Sequence, residues 1–163
     1  TFGVMCIVKD LKNGNQYYLQ EETYYDATQR GVAQSDSDRV EDILRLQNKY
    51  NLTKKSTLFL PHDAASLKAQ CRKDPRIRMK VRTYAPDTFK DFNRIQDLFN
   101  NKKFHIHESC MNSITQAQTY CWDTKAQPRG EDKPLKVDDH CPDMWRGGLF
   151  GSRLSRSGHK INA

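Results

Sequence analysis

Apolar residues fall in short blocks separated by Gly-, Asn- and Asp-bearing punctuation. Phe2-Gly3-Val4-Met5-Cys6-Ile7-Val8 is an apolar strand, and Lys12-Asn13-Gly14-Asn15 supplies turn chemistry because Asn-Gly tolerates positive φ. Gln16-Tyr17-Tyr18-Leu19-Gln20 brings the chain back, so residues 2–25 read as an antiparallel hairpin. Ser35-Asp36-Ser37-Asp38 offers an N-cap to a helix carrying Val40, Ile43, Leu44 and Leu46 at helical spacing, with its end near Tyr50-Asn51. Thr57-Leu58-Phe59-Leu60-Pro61-His62-Asp63 is a buried strand that runs out into a polar tip.

From Ala64 to Arg72 the spacing predicts a helix with Leu67 and Cys71 inward and Lys68, Arg72 and Lys73 outward, stopped by Pro75. Arg76 to Arg82 alternates, with Ile77, Met79 and Val81 in and Arg78, Lys80 and Arg82 out, as in a half-exposed strand with a basic face. A helix from Pro86 to Asn100-Asn101 carries the stripe Phe89, Phe92, Ile95, Leu98 and Phe99. Phe104-His105-Ile106-His107 is a short strand. Ser109 can then cap a helix through Trp122 with Cys110, Ile114, Ala117 and Cys121 on one face. Residues 123–137 hold Pro128, Gly130 and Pro134 among charges and read as a surface loop, and a last helix starts around Asp138. Residues 151–163 are polar and basic and read as a flexible tail to a domain of residues 1–150. A hairpin followed by alternating helices and strands predicts an α/β fold: a mixed β-sheet with helices on both faces.

Composition narrows the chemistry. The 163 residues suit one domain, and 36% hydrophobic content is low, yet it is gathered into element-like runs rather than dispersed as in a disordered chain. A net charge of +7 favours a polyanionic partner. The five cysteines lack C-x-x-C spacing and are odd in number, which fits reduced thiols better than a disulfide framework. His105, His107 and Cys110 come nearest to a zinc site. They have no second ligand pair at matching spacing, and alternating strand residues running into a helix start account for them. No apolar run approaches the roughly 20 residues that cross a membrane. The chain opens inside an apolar run without Met and reads as a piece of something longer.

The residues best suited to chemistry are Asp63 and the segment Asp138-Asp139-His140-Cys141-Pro142-Asp143. Paired-metal cleavage of a phosphodiester needs carboxylates converging from different elements. Asp63 leaves the carboxyl end of a strand, where open α/β sheets bind ligands. His140 and Asp143 stand at i and i+3, and Asp139 and Asp143 at i and i+4, so either pair can face one point. The structural alternatives are equally plain: Asp63 as N-cap of the following helix, and Asp138-Asp139 as capping, dipole-complementing acids. No Ser-His-Asp set and no phosphate-cradling Gly-rich loop is present, which disfavours an ATPase site within these residues.

The ordered set of residues resembles the C-terminal nuclease domain of the large terminase subunit, the DNA-packaging motor of phages and herpesviruses. The likeness runs over most of residues 2–150. It includes the hairpin ending Tyr17-Tyr18-Leu19-Gln20-Glu21-Glu22, the Asp63 strand with its following helix, and the basic strand at Lys80. It continues through Phe92-Asn93-Arg94-Ile95 and the Cys110-Met111-Asn112 helix leading to Tyr120-Cys121-Trp122. It closes on Asp139-His140-Cys141-Pro142-Asp143-Met144-Trp145-Arg146, close to the family's Asp-His-x-x-Asp-Ala-x-Arg-Tyr ending. Met144 and Gly147 replace that ending's Ala and Tyr.

This resemblance implies a ribonuclease H-like fold and a Mg²⁺- or Mn²⁺-dependent endonuclease with a two-metal site, cutting concatemeric viral DNA during packaging. Asp63 and Asp143 match the second and third catalytic carboxylates, and His140 matches the accompanying metal-site histidine. The family's first catalytic Asp lies on a strand before Phe2, central to the sheet. Implied partners are double-stranded DNA, an ATPase domain in the same parent chain, the portal and the small terminase subunit, in the cytoplasm of the infected host cell with no membrane. Lys80, Arg82 and Lys90 stand as DNA contacts, from a basic set that includes Lys68, Arg72, Arg76 and Arg78. Two other readings compete: a non-catalytic nucleic-acid-binding module using the same basic faces, and another ribonuclease H-like enzyme such as a resolvase or integrase core.

Overall fold

The structure is a computed structural model that describes residues 2–85, 87–121, 128 and 140–157. Its order is β1 (Phe2–Asp10), β2 (Gln16–Tyr25), α1 (Ala27–Arg30), α2 (Asp36–Lys49), β3 (Thr57–Pro61), α3 (Ala65–Lys73), β4 (Lys80–Tyr84), α4 (Thr88–Asn100), β5 (Phe104–Ile106), α5 (Met111–Thr119) and α6 (His140–Ser157). The class is mixed α/β, as the alternation of periods predicts. The described strands form two sheets, one ordered β1-β2-β5 and one pairing β3 with β4. The five residues between β1 and β2 leave room only for an antiparallel return, whereas β2 and β5 run parallel, so the first sheet is mixed.

The described chain divides into two compact units. The first holds residues 1–4, 23–85 and 151 onward. Here Ser35 and Asp38 form the capping box of α2: Asp38 N–H donates to Ser35 Oγ at 3.2 Å, and Ser35 N–H donates to Asp38 Oδ2 at 3.0 Å. Val40, Ile43 and Leu44 of α2 bury against Leu58 and Leu60 of β3 and Leu67 and Cys71 of α3. The parallel pairing of β3 with β4, Thr57 opposite Lys80 and Pro61 opposite Tyr84, makes a βαβ crossover around α3. The basic strand expected from Arg76 starts only at Lys80. Buried Gln47 explains the shift. Its Nε2 donates to the Arg76 carbonyl at 2.9 Å and its Oε1 accepts from Arg78 N–H at 2.7 Å, so those backbone groups are satisfied by a side chain rather than a strand.

The second unit holds residues 5–22 and 86–150. At the hairpin turn Gly14 and Asn15 take φ of 74° and 60°, and the Asp10 carboxylate accepts from the amides of Lys12 and Asn13. Asp87 caps α4, accepting from Lys90 N–H. Phe92 and Ile95 are fully buried, but Phe89, expected on the same stripe, is 48% exposed on the first turn. Trp145 of α6 is completely buried, with Phe99, Phe104 and Tyr120 edge-on at 5.9, 5.6 and 6.3 Å between ring centroids. Truncating such a side chain to Ala costs about 3–5 kcal/mol.

The α5 face departs from the hydrophobic reading. Ser113 and Gln116 are buried and Cys121 is exposed, and Ser109 bonds to His107 instead of capping the helix. Helix α6 continues to Ser157, so residues 151–157 are helical where a tail was expected. The predicted loop, save residue 128, and Asp138 and Asp139 lie outside the described residues.

Two glycines of α6 permit close approach to strands. A Cβ on Gly148 would stand 2.6 Å from Ile7 Cδ1, the mobile end of that side chain. One on Gly151 would stand 2.5–2.7 Å from three atoms of the rigid Phe59 ring. Overpacking of that kind costs about 1–3 kcal/mol, against about 1 kcal/mol gained from replacing Gly by Ala in a helix. Thermal denaturation should therefore show Gly151→Ala destabilised and Gly148→Ala close to wild type.

Candidate functional site

Strand β3 ends at Pro61, and the chain reaches Asp63 two residues later with His62 and Asp63 both exposed. The obvious structural employment for Asp63 is not taken up. Helix α3 begins at Ala65 with Ala64 at its N-cap and no side-chain cap hydrogen bond. Among the described residues Asp63 has no hydrogen bond or ion pair, so an exposed carboxylate is left at the carboxyl end of a parallel strand.

His140 and Asp143 occupy the first turn of α6, three residues apart and both exposed, so helix geometry puts them on one side. Arg146, three residues further on and buried, forms an ion pair with the half-exposed Asp143 carboxylate. Sequence reasoning took Arg146 only as part of a terminal motif. The i, i+3 spacing from Asp143 was the available signal that it balances that carboxylate's charge.

Asp63 belongs to the first unit, and His140 and Asp143 to the second. Among the described residues no group of three or more His, Cys, Asp or Glu side chains gathers as a metal-ligand set. The donors themselves suit hard divalent cations: solvent-facing carboxylates with one imidazole. His105 and His107 are engaged elsewhere, His105 Nε2 with Gln16 Oε1 at 3.0 Å and His107 Nδ1 with Ser109 Oγ at 2.8 Å.

The basic residues sort by their partners. Arg76 is held by Asp74 at 2.7 Å and Glu41 at 2.9 Å, which neutralises it within the fold. Lys90 pairs with Asp87 at 2.9 Å at the start of α4. Lys80 and Arg82 are exposed on β4, two residues apart and hence on one face of that strand. Arg72 reaches the neighbouring Val81 carbonyl at 3.5 Å, bringing a third cationic group to the same region.

Thiol chemistry is disfavoured at the buried cysteines Cys6, Cys71 and Cys141. Burial pushes Cys141 up to about 12, with the Glu22 charge adding to the effect, and pushes Cys6 and Cys71 up to about 11. Such thiols stay protonated near neutrality and are poor nucleophiles.

No known protein family's sequence model matches the chain, and no curated protein sequence does. Solved structures do. The large terminase from a thermophilic bacteriophage superimposes with a TM-score of 0.77 at 25% identity in one crystal form, over 91% of this chain. In complex with ATP-γ-S the same terminase gives 0.76 at 25% identity. With ADP it gives 0.74 at 26% identity over 85% of this chain. The fold is therefore terminase-related. The chain spans about a third of that protein, 36% of its length in the first two comparisons.

The raised thiols set a pH dependence. A group protonated more tightly in the folded state stabilises it fully below the unfolded value, here 9.0, and that contribution is lost as pH rises through the folded values of about 11 to 12. Denaturant titrations should show stability declining above pH 9, and Cys71→Ala should reduce the slope of that decline. An unchanged slope in Cys71→Ala would remove that thiol from the account.

Proposed function

We propose that this chain is the nuclease portion of a DNA-packaging large terminase, a divalent-metal-dependent endonuclease that cuts concatemeric viral DNA. The observation that carries the reading is Asp63, an exposed carboxylate at a strand end that, among the described residues, serves neither as a cap nor as an ion-pair partner. The terminase-related fold supports it, as does the His140–Asp143 pair on the first turn of α6.

In this reading Asp63 and Asp143 supply oxygen ligands and His140 a nitrogen ligand for Mg²⁺ or Mn²⁺. Bound in a pair, such ions activate water and stabilise the leaving oxygen of a phosphodiester. Arg146 orients the Asp143 carboxylate from the same helix face. Lys80 and Arg82, with Arg72 beside them, contact DNA phosphates, while Lys90 serves α4 first through Asp87. The remaining partners are the ATPase domain of the parent chain, the portal and the small terminase subunit, and the setting is the host cytoplasm. No described helix is long and apolar enough to cross a membrane.

A second reading, a DNA-binding module without catalysis, draws on the Asp143–Arg146 ion pair and the same basic strand. Plasmid cleavage by the full-length parent protein separates the two. Wild type should cut in Mn²⁺, and Asp63→Ala and Asp143→Ala should each fall to background while retaining DNA affinity. Full cleavage by both variants removes the catalytic assignment, and an inert wild type favours the binding module.

Salt titration of DNA affinity tests the basic strand. Lys80→Ala and Arg82→Ala should each lower the slope of log K against log salt by about one. Unchanged slopes would place the DNA path elsewhere.

A further inference from the structure

Glu22, near the end of β2, is tied to a helix 90 residues away in sequence. Its Oε1 accepts from Asn112 N–H at 2.8 Å and Asn112 Nδ2 at 3.2 Å, and its Oε2 accepts from Ser113 N–H at 3.2 Å and Ser113 Oγ at 2.5 Å. These are first-turn amides of α5 that have no partner within the helix, and α5 has no side-chain cap at its own N-cap residue. A carboxylate there also meets the positive end of the helix dipole. The contacts continue into α6. The Ser113 hydroxyl, having donated to Glu22, accepts from Trp145 Nε1 at 3.1 Å. One turn along α5, Gln116 Oε1 accepts from Cys141 N–H at 2.7 Å. Ser113, Gln116, Cys141 and Trp145 are all buried. The start of α6 is thus gripped at Cys141 in its first turn and at Trp145 in the next, and His140 and Asp143 project from the first turn to solvent.

We infer that Glu22 is a positioning residue for His140 and Asp143, setting through α5 where the first turn of α6 presents them. The inference rests on the metal-site reading above. Glu22 itself touches neither residue. Its charge orders the α5 N-terminus, and the ordered Ser113 hydroxyl fixes Trp145. Without the carboxylate the Ser113 hydroxyl is free to turn towards its own backbone, and the indole loses its acceptor. Partners bonded directly to a metal ligand typically contribute 10–100-fold in metal affinity, and Glu22, acting at a further remove, is placed at the lower end of that range.

The test uses the full-length protein as wild type, Glu22→Gln, Glu22→Ala, Ser113→Ala and Asp143→Ala. Glu22→Gln preserves side-chain length and one acceptor oxygen, so it remains informative if Glu22→Ala misfolds. In metal-free protein the Trp145 indole N–H resonance and its hydrogen exchange are followed by NMR. Free Mn²⁺ is then titrated by electron paramagnetic resonance. Expected in Glu22→Gln is a shifted, faster-exchanging indole, with Mn²⁺ half-saturation raised about tenfold or more. KM for DNA should not change, and excess Mn²⁺ should restore the cleavage rate. Ser113→Ala should reproduce both effects. A purely structural cap would lower the melting temperature and leave Mn²⁺ half-saturation in the folded protein untouched, which overturns the inference. An unmoved indole overturns it as well. Equal Mn²⁺ binding by wild type and Asp143→Ala instead defeats the metal-site reading, and that comparison involves no Glu22 variant.

Discussion

A helix N-terminus that no local residue caps is the constraint on which the second unit depends. The first-turn amides of α5 must find acceptors, and burying them unpaired would cost more than any one apolar contact there returns. The chain meets this with Glu22, brought from the far side of the sequence by β2. Because the carboxylate is charged, its bonds to the α5 amides are stronger than neutral ones, and they tie the start of the helix to the strand. Ser113 and Gln116, the buried polar groups of α5, then have defined partners: Ser113 serves Trp145, and Gln116 serves Cys141. The aromatic packing of Trp145 against Phe99 and Phe104 supplies the bulk of the burial, while the polar bonds select a single arrangement of it.

The same logic separates structural from chemical acids. Asp10, Asp38 and Asp87 each accept backbone amides at turns or helix starts, and their hydrogen bonds hold their carboxyls below the usual range. Their charge is spent on the fold. Asp63 stands apart because the helix after it starts without help, leaving its oxygens to solvent. Asp143 lies between these cases, exposed for half of its side chain yet paired with a buried guanidinium that fixes its orientation.

Glycine at Gly148 lets α6 approach β1 at Ile7 more closely than a larger residue would allow without displacing that side chain. The position of the first turn of α6, and so of His140 and Asp143, is set by the polar bonds at Cys141 and, in the next turn, at Trp145.

Periodicity was enough to reveal the hairpin, the capped helix from Asp36, the apolar strand before Asp63 and the amphipathic helix over Phe92 and Ile95, because each depends on local spacing and local capping chemistry. Residue type and order likewise marked Asp63, His140 and Asp143 as candidates. The tertiary structure alone decided three things. Gln47 displaced the start of β4 by bonding the backbone at Arg76 and Arg78. Glu22 took over the capping that Ser109 was positioned to provide. Asp63 was left without a structural partner among the described residues. In the first two cases the deciding hydrogen bond comes from a group whose distance in space cannot be read from its distance along the chain. Polar residues on a helix look solvent-facing by pattern until a partner from another element buries them, as Ser113 and Gln116 are buried here.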